Sequence, residues 1–262
     1  MKSSRPGLYP TLWRRLYSVW FRHMRVYTKH LFSNGFPPFL EPLIFLVGIG
    51  LGLGRFIETM DGLQYIVFLG TALPVTAAMW TSAFECSFGT FIRLEFEKVY
   101  DGMLAAPLTA ENLIVGEIIW AGTKGLFFSL SVTVILLLFK IVHLPHALLG
   151  PAVGFLTGLM FGCLSLYITS FVKTINHFNF YMTGLLSPMF FFSGVVFPTS
   201  ELPRVVRPFA EVVPLTHSVQ LVRAVVLSNY RLRHLGDLAY IVVFIAVVGY
   251  LAVRRLTKRL VY

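Results

Sequence analysis

The sequence predicts an all-α, polytopic integral membrane protein: six transmembrane helices, an N-terminal interfacial amphipathic helix, and a re-entrant outer-face segment between spans 5 and 6. Three observations carry this. Of 262 residues, 56% are hydrophobic and 13% charged, more apolar surface than one water-soluble core of this size would bury. Six apolar runs approach the roughly 20 residues a helix needs to cross about 30 Å of hydrocarbon. The net charge of +10 gathers at the chain ends, from Lys2 to Lys29 and from Arg254 to Arg259, which suits a membrane surface better than a nucleic-acid groove.

Residues 1–36 are expected to lie on the cytoplasmic side. Within them Trp13, Leu16, Trp20, Met24, Tyr27 and Leu31 recur every three or four positions, while Arg14, Arg15, Arg22, Arg25 and Lys29 occupy the rest of the wheel. Such a helix lies in the interface plane against membrane lipid and anchors the first span. Asn34-Gly35 and Pro37-Pro38 are expected to end it and turn the chain into the bilayer. Because polar or amphipathic residues precede the first long apolar run, that span is expected to stay in the mature protein.

Residues 37–262 form the transmembrane domain, with spans expected near 39–57, 64–84, 112–139, 147–171, 178–197 and 237–253. Six crossings return both termini to one side, which the basic ends including Arg5 assign to the cytoplasm; five would separate them. Glu58 and Asp61 beside Arg55 fit an outside loop. Arg204, Arg207, Arg223, Arg231 and Arg233 run against the charge rule on the same side.

Several motifs point away from catalysis. The run containing Gly48, Gly50, Gly52 and Gly54 sits inside an apolar span with no strand before it, so helix packing explains it better than phosphate binding. No GxxxxGK[ST] occurs, and Gly122-Thr123-Lys124 lacks the upstream glycine. Cys86 and Cys163 lie in apolar runs without CxxC spacing. His143 and His146 have no third metal ligand nearby. No nucleophile elbow is found, so neither an enzyme nor a metal site is expected.

Glu117 and Lys124 both fall in the third span, where a central charge costs about 2.5–3.5 kcal/mol. Glu117 is near enough to the cytoplasmic end to be wetted. Lys124 is deeper and must snorkel or pair with Glu117 or Glu85, either as a structural pair or as a substrate contact. Glu41, Glu85 and Glu117 all map toward the cytoplasmic ends of spans, which disfavours the midplane carboxylate that ion-gradient coupling uses.

Two stretches carry more information. Between spans 2 and 3, Phe96, Val99, Met103 and Leu104 recur at helical spacing among charges, Pro107 ends the helix and Thr109 caps the next span. This short cytoplasmic helix either lies on lipid or docks into a soluble partner. From Ser187-Pro188 through Phe197-Pro198 to Pro214-Leu215-Thr216-His217 and Arg223, prolines are too frequent for a simple crossing, which suits a re-entrant hairpin.

Together with the basic start and the spans, these stretches resemble the membrane subunit of type 2 ABC exporters, in particular the NodJ-like branch that moves lipo-oligosaccharides. The resemblance covers nearly the whole chain. It implies a coupling helix at 95–107 that fits a cleft on a separate ATP-binding cassette ATPase, with Glu95, Tyr100, Asp101, Gly102, Met103, Leu104 and Pro107 at the matching positions. It further implies two copies of this chain and two ATPase chains, ATP and Mg bound by the ATPase and no cofactor bound here. Export would be from a bacterial cytoplasmic membrane. The implied substrate is an amphipathic glycolipid or lipo-oligosaccharide, with a drug or a polysaccharide as alternatives. Tyr65, Trp80, Phe190, Phe191 and Phe192 are candidate path residues, since aromatic rings stack on sugars or pack on acyl chains. A gradient-driven transporter and a non-transporting scaffold are the competing classes.

Overall fold

The structure is a computed structural model that describes residues 10–57 and 59–261. Lys2, Arg5 and Glu58, and the side chains of Leu31 and Glu41, lie outside the described set. Its helices are α1 (Leu12–Lys29), α2 (Phe32–Gly54), α3 (Tyr65–Phe96), α4 (Val99–Leu104), α5 (Ala110–Leu138), α6 (His146–Thr169), α7 (residues 178–192), α8 (Arg207–Val212), α9 (Pro214–Val226) and α10 (Arg233–Val261). Among the described residues, strand is confined to one hairpin, Thr59–Met60 against Leu63–Gln64. Asp61 and Gly62 turn it with φ of 53° and 76°, the two left-handed positions an Asp-Gly hairpin supplies.

Among the described residues, five helices, α2, α3, α5, α6 and α10, are long and apolar enough to cross a membrane. The expected fifth span, 178–197, is instead a helix that stops at Phe192, contains a wide turn at Met182–Leu186 and carries Pro188. At 1.5 Å per residue it is about 22 Å long, short of a 30 Å core. It still runs from one end of the bundle to the other. Phe178 packs on Phe88 and Phe91 near the end of α3, whereas Gly194, just past α7, lies beside Arg223 and hence beside the start of α3. The chain therefore has a Glu95 end and an Arg223 end. Helix α1 and the last turns of α10 both sit at the Glu95 end, through Val19 against Gly116 and through Arg259 on Glu95 at 2.8 Å.

The bundle is tightest where α5 meets α6. A Cβ at Gly125 would stand 2.7 Å from the Gly154 carbonyl oxygen and 2.9 Å from Gly158 Cα, and one at Gly158 would stand 2.8 Å from the Ala121 carbonyl oxygen. Small residues let the two backbones touch, and Ser82 of α3 joins the seam by donating to the Ala121 carbonyl at 3.0 Å. The glycine run that the sequence marks for packing behaves differently. Only Gly50 is closely approached, with Ile66 at 3.3 Å from its Cβ position, while Gly48, Gly52 and Gly54 have nothing within 4 Å. Cys86 and Cys163 are free and buried in a core at the Glu95 end, with Leu113, Ile114 and Leu166.

Three local expectations are corrected. The chain breaks at His30 rather than at Asn34-Gly35. Asn34 instead stitches the corner, donating to the Tyr27 carbonyl at 2.9 Å while Tyr27 Oη donates to the Asn34 carbonyl at 2.7 Å; Pro37 and Pro38 open a helical stretch, where a missing N–H is tolerated. Helix α1 does not simply lie on lipid. Val19 and His23 are buried, Trp20 donates to Thr123 Oγ1 at 3.0 Å and His23 stacks on Trp120, so one face packs on α5. Trp13, Tyr17 and Phe21 remain exposed beside the exposed Arg14 on the opposite face, whereas Arg15 is half-buried. The second span runs on to Phe96 instead of ending near residue 84.

At the Arg223 end, α9 is about 20 Å long by its 13 residues, too short to cross, and most of its faces are buried. Arg223 donates to the Phe68 carbonyl at 2.9 Å with its guanidinium 3.7 Å from the Phe68 ring centre. Asp237 of α10 is held between His217 Nδ1 at 2.7 Å and His234 Nδ1 at 3.2 Å. Arg207 donates to the Leu202 carbonyl at 2.9 Å. Two of the arginines that run against the charge rule are thus spent on backbone carbonyls, Arg207 on Leu202 and Arg223 on Phe68 of α3.

Candidate functional site: a buried charge network and an aromatic cavity

At about 48 Å, α3 is longer than a hydrocarbon core, so its last turns can carry charge. Two wide turns, Glu85–Gly89 and Ile92–Phe96, interrupt the α-helical period there. Glu85 and Arg93 are eight residues apart, a rise of about 12 Å on a regular helix. Arg93 nonetheless folds back over Gly89, where a Cβ would stand 3.3 Å from Arg93 Nη1, and donates Nη1 to Glu85 Oε1 at 2.8 Å. Its Nη2 donates to Glu117 Oε2 at 2.9 Å.

Glu117 is wholly buried, not wetted. Besides Arg93 it accepts from Tyr100 Oη at 2.7 Å, and His23 Nε2 lies at ion-pair distance, 2.9 Å, without hydrogen-bond alignment. Lys124 pairs with Glu85 Oε2 at 2.9 Å. A buried carboxylate is tolerable only when paired and hydrogen-bonded, and here two glutamates share one arginine, one lysine and one tyrosine. His23, Glu85 and Glu117 also place one potential ligand atom each within 4.8 Å of one another. Arg93 and Lys124 already supply the positive charge that a metal would bring to these carboxylates.

The network reaches the segment expected to form a helix over 95–107, which is shorter than that. Glu95 belongs to the end of α3 and pairs with Arg259. Lys98 then reverses the chain with φ of 52°, and only Val99–Leu104 is helical. Tyr100 points inward, fully buried, and burial beside Glu117 pushes its hydroxyl well above the usual tyrosine range. Met103 and Leu104 are half-buried on the same inner side. Asp101, Gly102, Ala105 and Pro107 are exposed, as is Phe96 at 64%. Thr109 Oγ1 accepts the Asn112 backbone N–H at 3.2 Å and so starts α5.

Of the five aromatic candidates, Trp80, Phe190 and Phe191 line a cavity of about 660 Å³ between α2, α3, α5 and α7 whose charged lining residues are Glu85 and Lys124. Tyr65 is fully buried elsewhere, and Phe192 packs edge-on to Phe209. His23 and Arg93 are network members that sequence reasoning did not single out. Arg93 carried a readable sign, an arginine two turns past an intramembrane glutamate; His23 carried none.

Long apolar helices with a buried charge network toward the Glu95 end define a multi-pass, helical membrane protein. Residues 14–227 match the ABC-2 type transporter family, and the chain belongs to that family, whose members are membrane subunits that work with ATP-binding cassette subunits. It is 32% identical over 246 residues to nodulation protein J of Rhizobium leguminosarum bv. viciae, covering 92% of this chain and 95% of that one. With nodulation protein J of Rhizobium meliloti it shares 32% over 225 residues, 86% of this chain and 83% of that one. With the inner membrane transport permease YadH of Escherichia coli it shares 23% over 224 residues, 86% and 84% respectively.

Proposed function

We propose that this chain is the transmembrane subunit of an ATP-driven exporter of an amphipathic glycolipid or lipo-oligosaccharide. It works as a homodimer with two ATPase chains in a bacterial inner membrane, with six crossings and both termini cytoplasmic. ATP and Mg bind the partner. The observation that carries the reading is α4, a short helix with an exposed outer face and an inner face hydrogen-bonded into the buried network through Tyr100 and Glu117. A partner seated on Phe96, Asp101 and Ala105 would push on a rigid lever. Tyr100 and Leu104, which the family resemblance assigns to the socket, here face the bundle and transmit rather than dock. The similarity to nodulation protein J supports the lipo-oligosaccharide class over a drug or a polysaccharide.

The test is co-purification in mild detergent of this tagged chain with the ATPase it is expressed beside, comparing wild type with Asp101→Arg/Ala105→Glu, which changes exposed positions only. Wild type is expected to retain the ATPase and the variant to lose it by at least about tenfold, as for substitutions central to an interface. A wild-type chain that holds no ATPase removes the energy source and sinks the reading.

A further inference from the structure

Taking the exporter reading as given, the geometry points to the cavity between α2, α3, α5 and α7 as the cargo site for an anionic amphiphile, its acidic headgroup on Lys124 and its chain against the aromatic wall. The volume of about 660 Å³ falls within the roughly 300–1,000 Å³ of small-molecule sites. Phe45, Trp80, Phe84, Phe128, Phe190 and Phe191 make most of the lining apolar, and Glu85 and Lys124 are its charged members.

The charges of that pair cancel, so the sign of the ligand is decided by which partner can be released. Glu85 has two cations, Lys124 at 2.9 Å and Arg93 at 2.8 Å. Lys124 has one carboxylate; its other sides face the rings of Tyr27 at 5.4 Å and Phe128 at 5.8 Å. An ammonium carries three donors, and among the described residues Nζ hydrogen-bonds to a single acceptor. The remaining donors suit a phosphate or carboxylate. Turning Lys124 toward such a group leaves Glu85 paired with Arg93, whereas a cation brought to Glu85 would enter beside two like charges. The lysine side chain is 15% exposed, so a ligand in the cavity can reach it. Because Arg93 bridges Glu85 to Glu117, and Glu117 holds Tyr100, taking Lys124 from Glu85 alters the network that anchors α4. Cargo in the cavity is thereby registered at the ATPase-facing helix.

The experiment uses the purified full chain in phosphatidylcholine nanodiscs and a single-chain alkyl phosphate carrying bromines, a contact quencher of tryptophan. Saturable quenching is expected that disappears in Trp80→Phe and is not competed by inorganic phosphate alone. Lys124→Met is expected to weaken binding by about ten- to a hundredfold, the worth of one hydrogen bond to a charged group, and Lys124→Arg to retain it. Glu85→Gln, which frees the lysine, is expected to tighten it. A brominated alkyl maltoside should show no dependence on residue 124. Should Lys124→Met yield little folded protein, Lys124→Met/Glu85→Gln removes both charges together and gives the same comparison. Equal binding of alkyl phosphate by wild type and the lysine-free variant overturns the site, as does displacement of the probe by phosphatidylglycerol included in the nanodisc, which makes resident lipid the occupant. Loss of the site with ATPase still co-purifying leaves the exporter reading intact; binding without a retained ATPase does the reverse.

Discussion

Glu117→Ala is expected to destabilise the protein by about 3–5 kcal/mol, the loss seen when one member of a buried ionic cluster is removed. Arg93 would keep Glu85, but its Nη2 would lose Glu117 in a region shut off from water, and Tyr100 Oη would lose its acceptor. A buried donor left without a partner carries its whole desolvation penalty, about 1–3 kcal/mol. Helix α4 would then be held by the packing of Val99, Tyr100, Met103 and Leu104 and by the long bond from Arg93 Nε to Tyr100 Oη at 3.4 Å. The measurement is the thermal transition in detergent, read beside the proteolysis rate within residues 97–108. Replacing Arg93 and Glu117 together by methionine is expected to recover much of the stability, since an apolar pair of similar volume avoids the stranded charge. A Glu117→Ala protein that melts with wild type would show that the cluster is not what holds these helices.

Gly125→Ala is expected to lower the yield of folded protein sharply, although it adds a single methyl group. Overpacking a core generally costs about 1–3 kcal/mol because side chains can shift. Here the obstacle is backbone, the Gly154 carbonyl oxygen at 2.7 Å and Gly158 Cα at 2.9 Å, so relief requires moving α6 away from α5 along the seam. Gly48→Ala, with nothing within 4 Å, is the contrasting case and should be tolerated in the single chain. Size-exclusion profiles and melting of the two variants check the pair; similar behaviour of both would mean that the seam is looser than drawn.

Hydropathy made the spans legible because a bilayer demands length and apolarity at once, and those are properties of composition. The cap at Thr109 was legible for a similar reason, being local. What escaped was long-range pairing. Arg93 and Glu95 look like the polar residues of a loop, yet they continue α3 because partners on α5 and α10 neutralise them. Glu117 looked wet because nothing in its own helix showed Arg93 or His23 approaching from others. The wide turns in α3 and α7 change which side chains share a face, so a 3.6-residue wheel cannot place Arg93 over Glu85. Tyr100 fell on the expected helix but on its inner side, since the left-handed Lys98 sets the direction from which that helix leaves α3.

The length of α3 has a mechanical consequence. It carries the hairpin at one tip and the α4 lever at the other, and it is pinned near its middle, where Ser82 meets α5. A rod about 48 Å long that tilts about five degrees on such a pivot moves each tip by about 2 Å in opposite directions. A push on one tip would arrive as a pull at the far one, beside α9, which Arg223 fastens to Phe68. The same see-saw, run backwards, would let whatever presses on α9 be felt at α4.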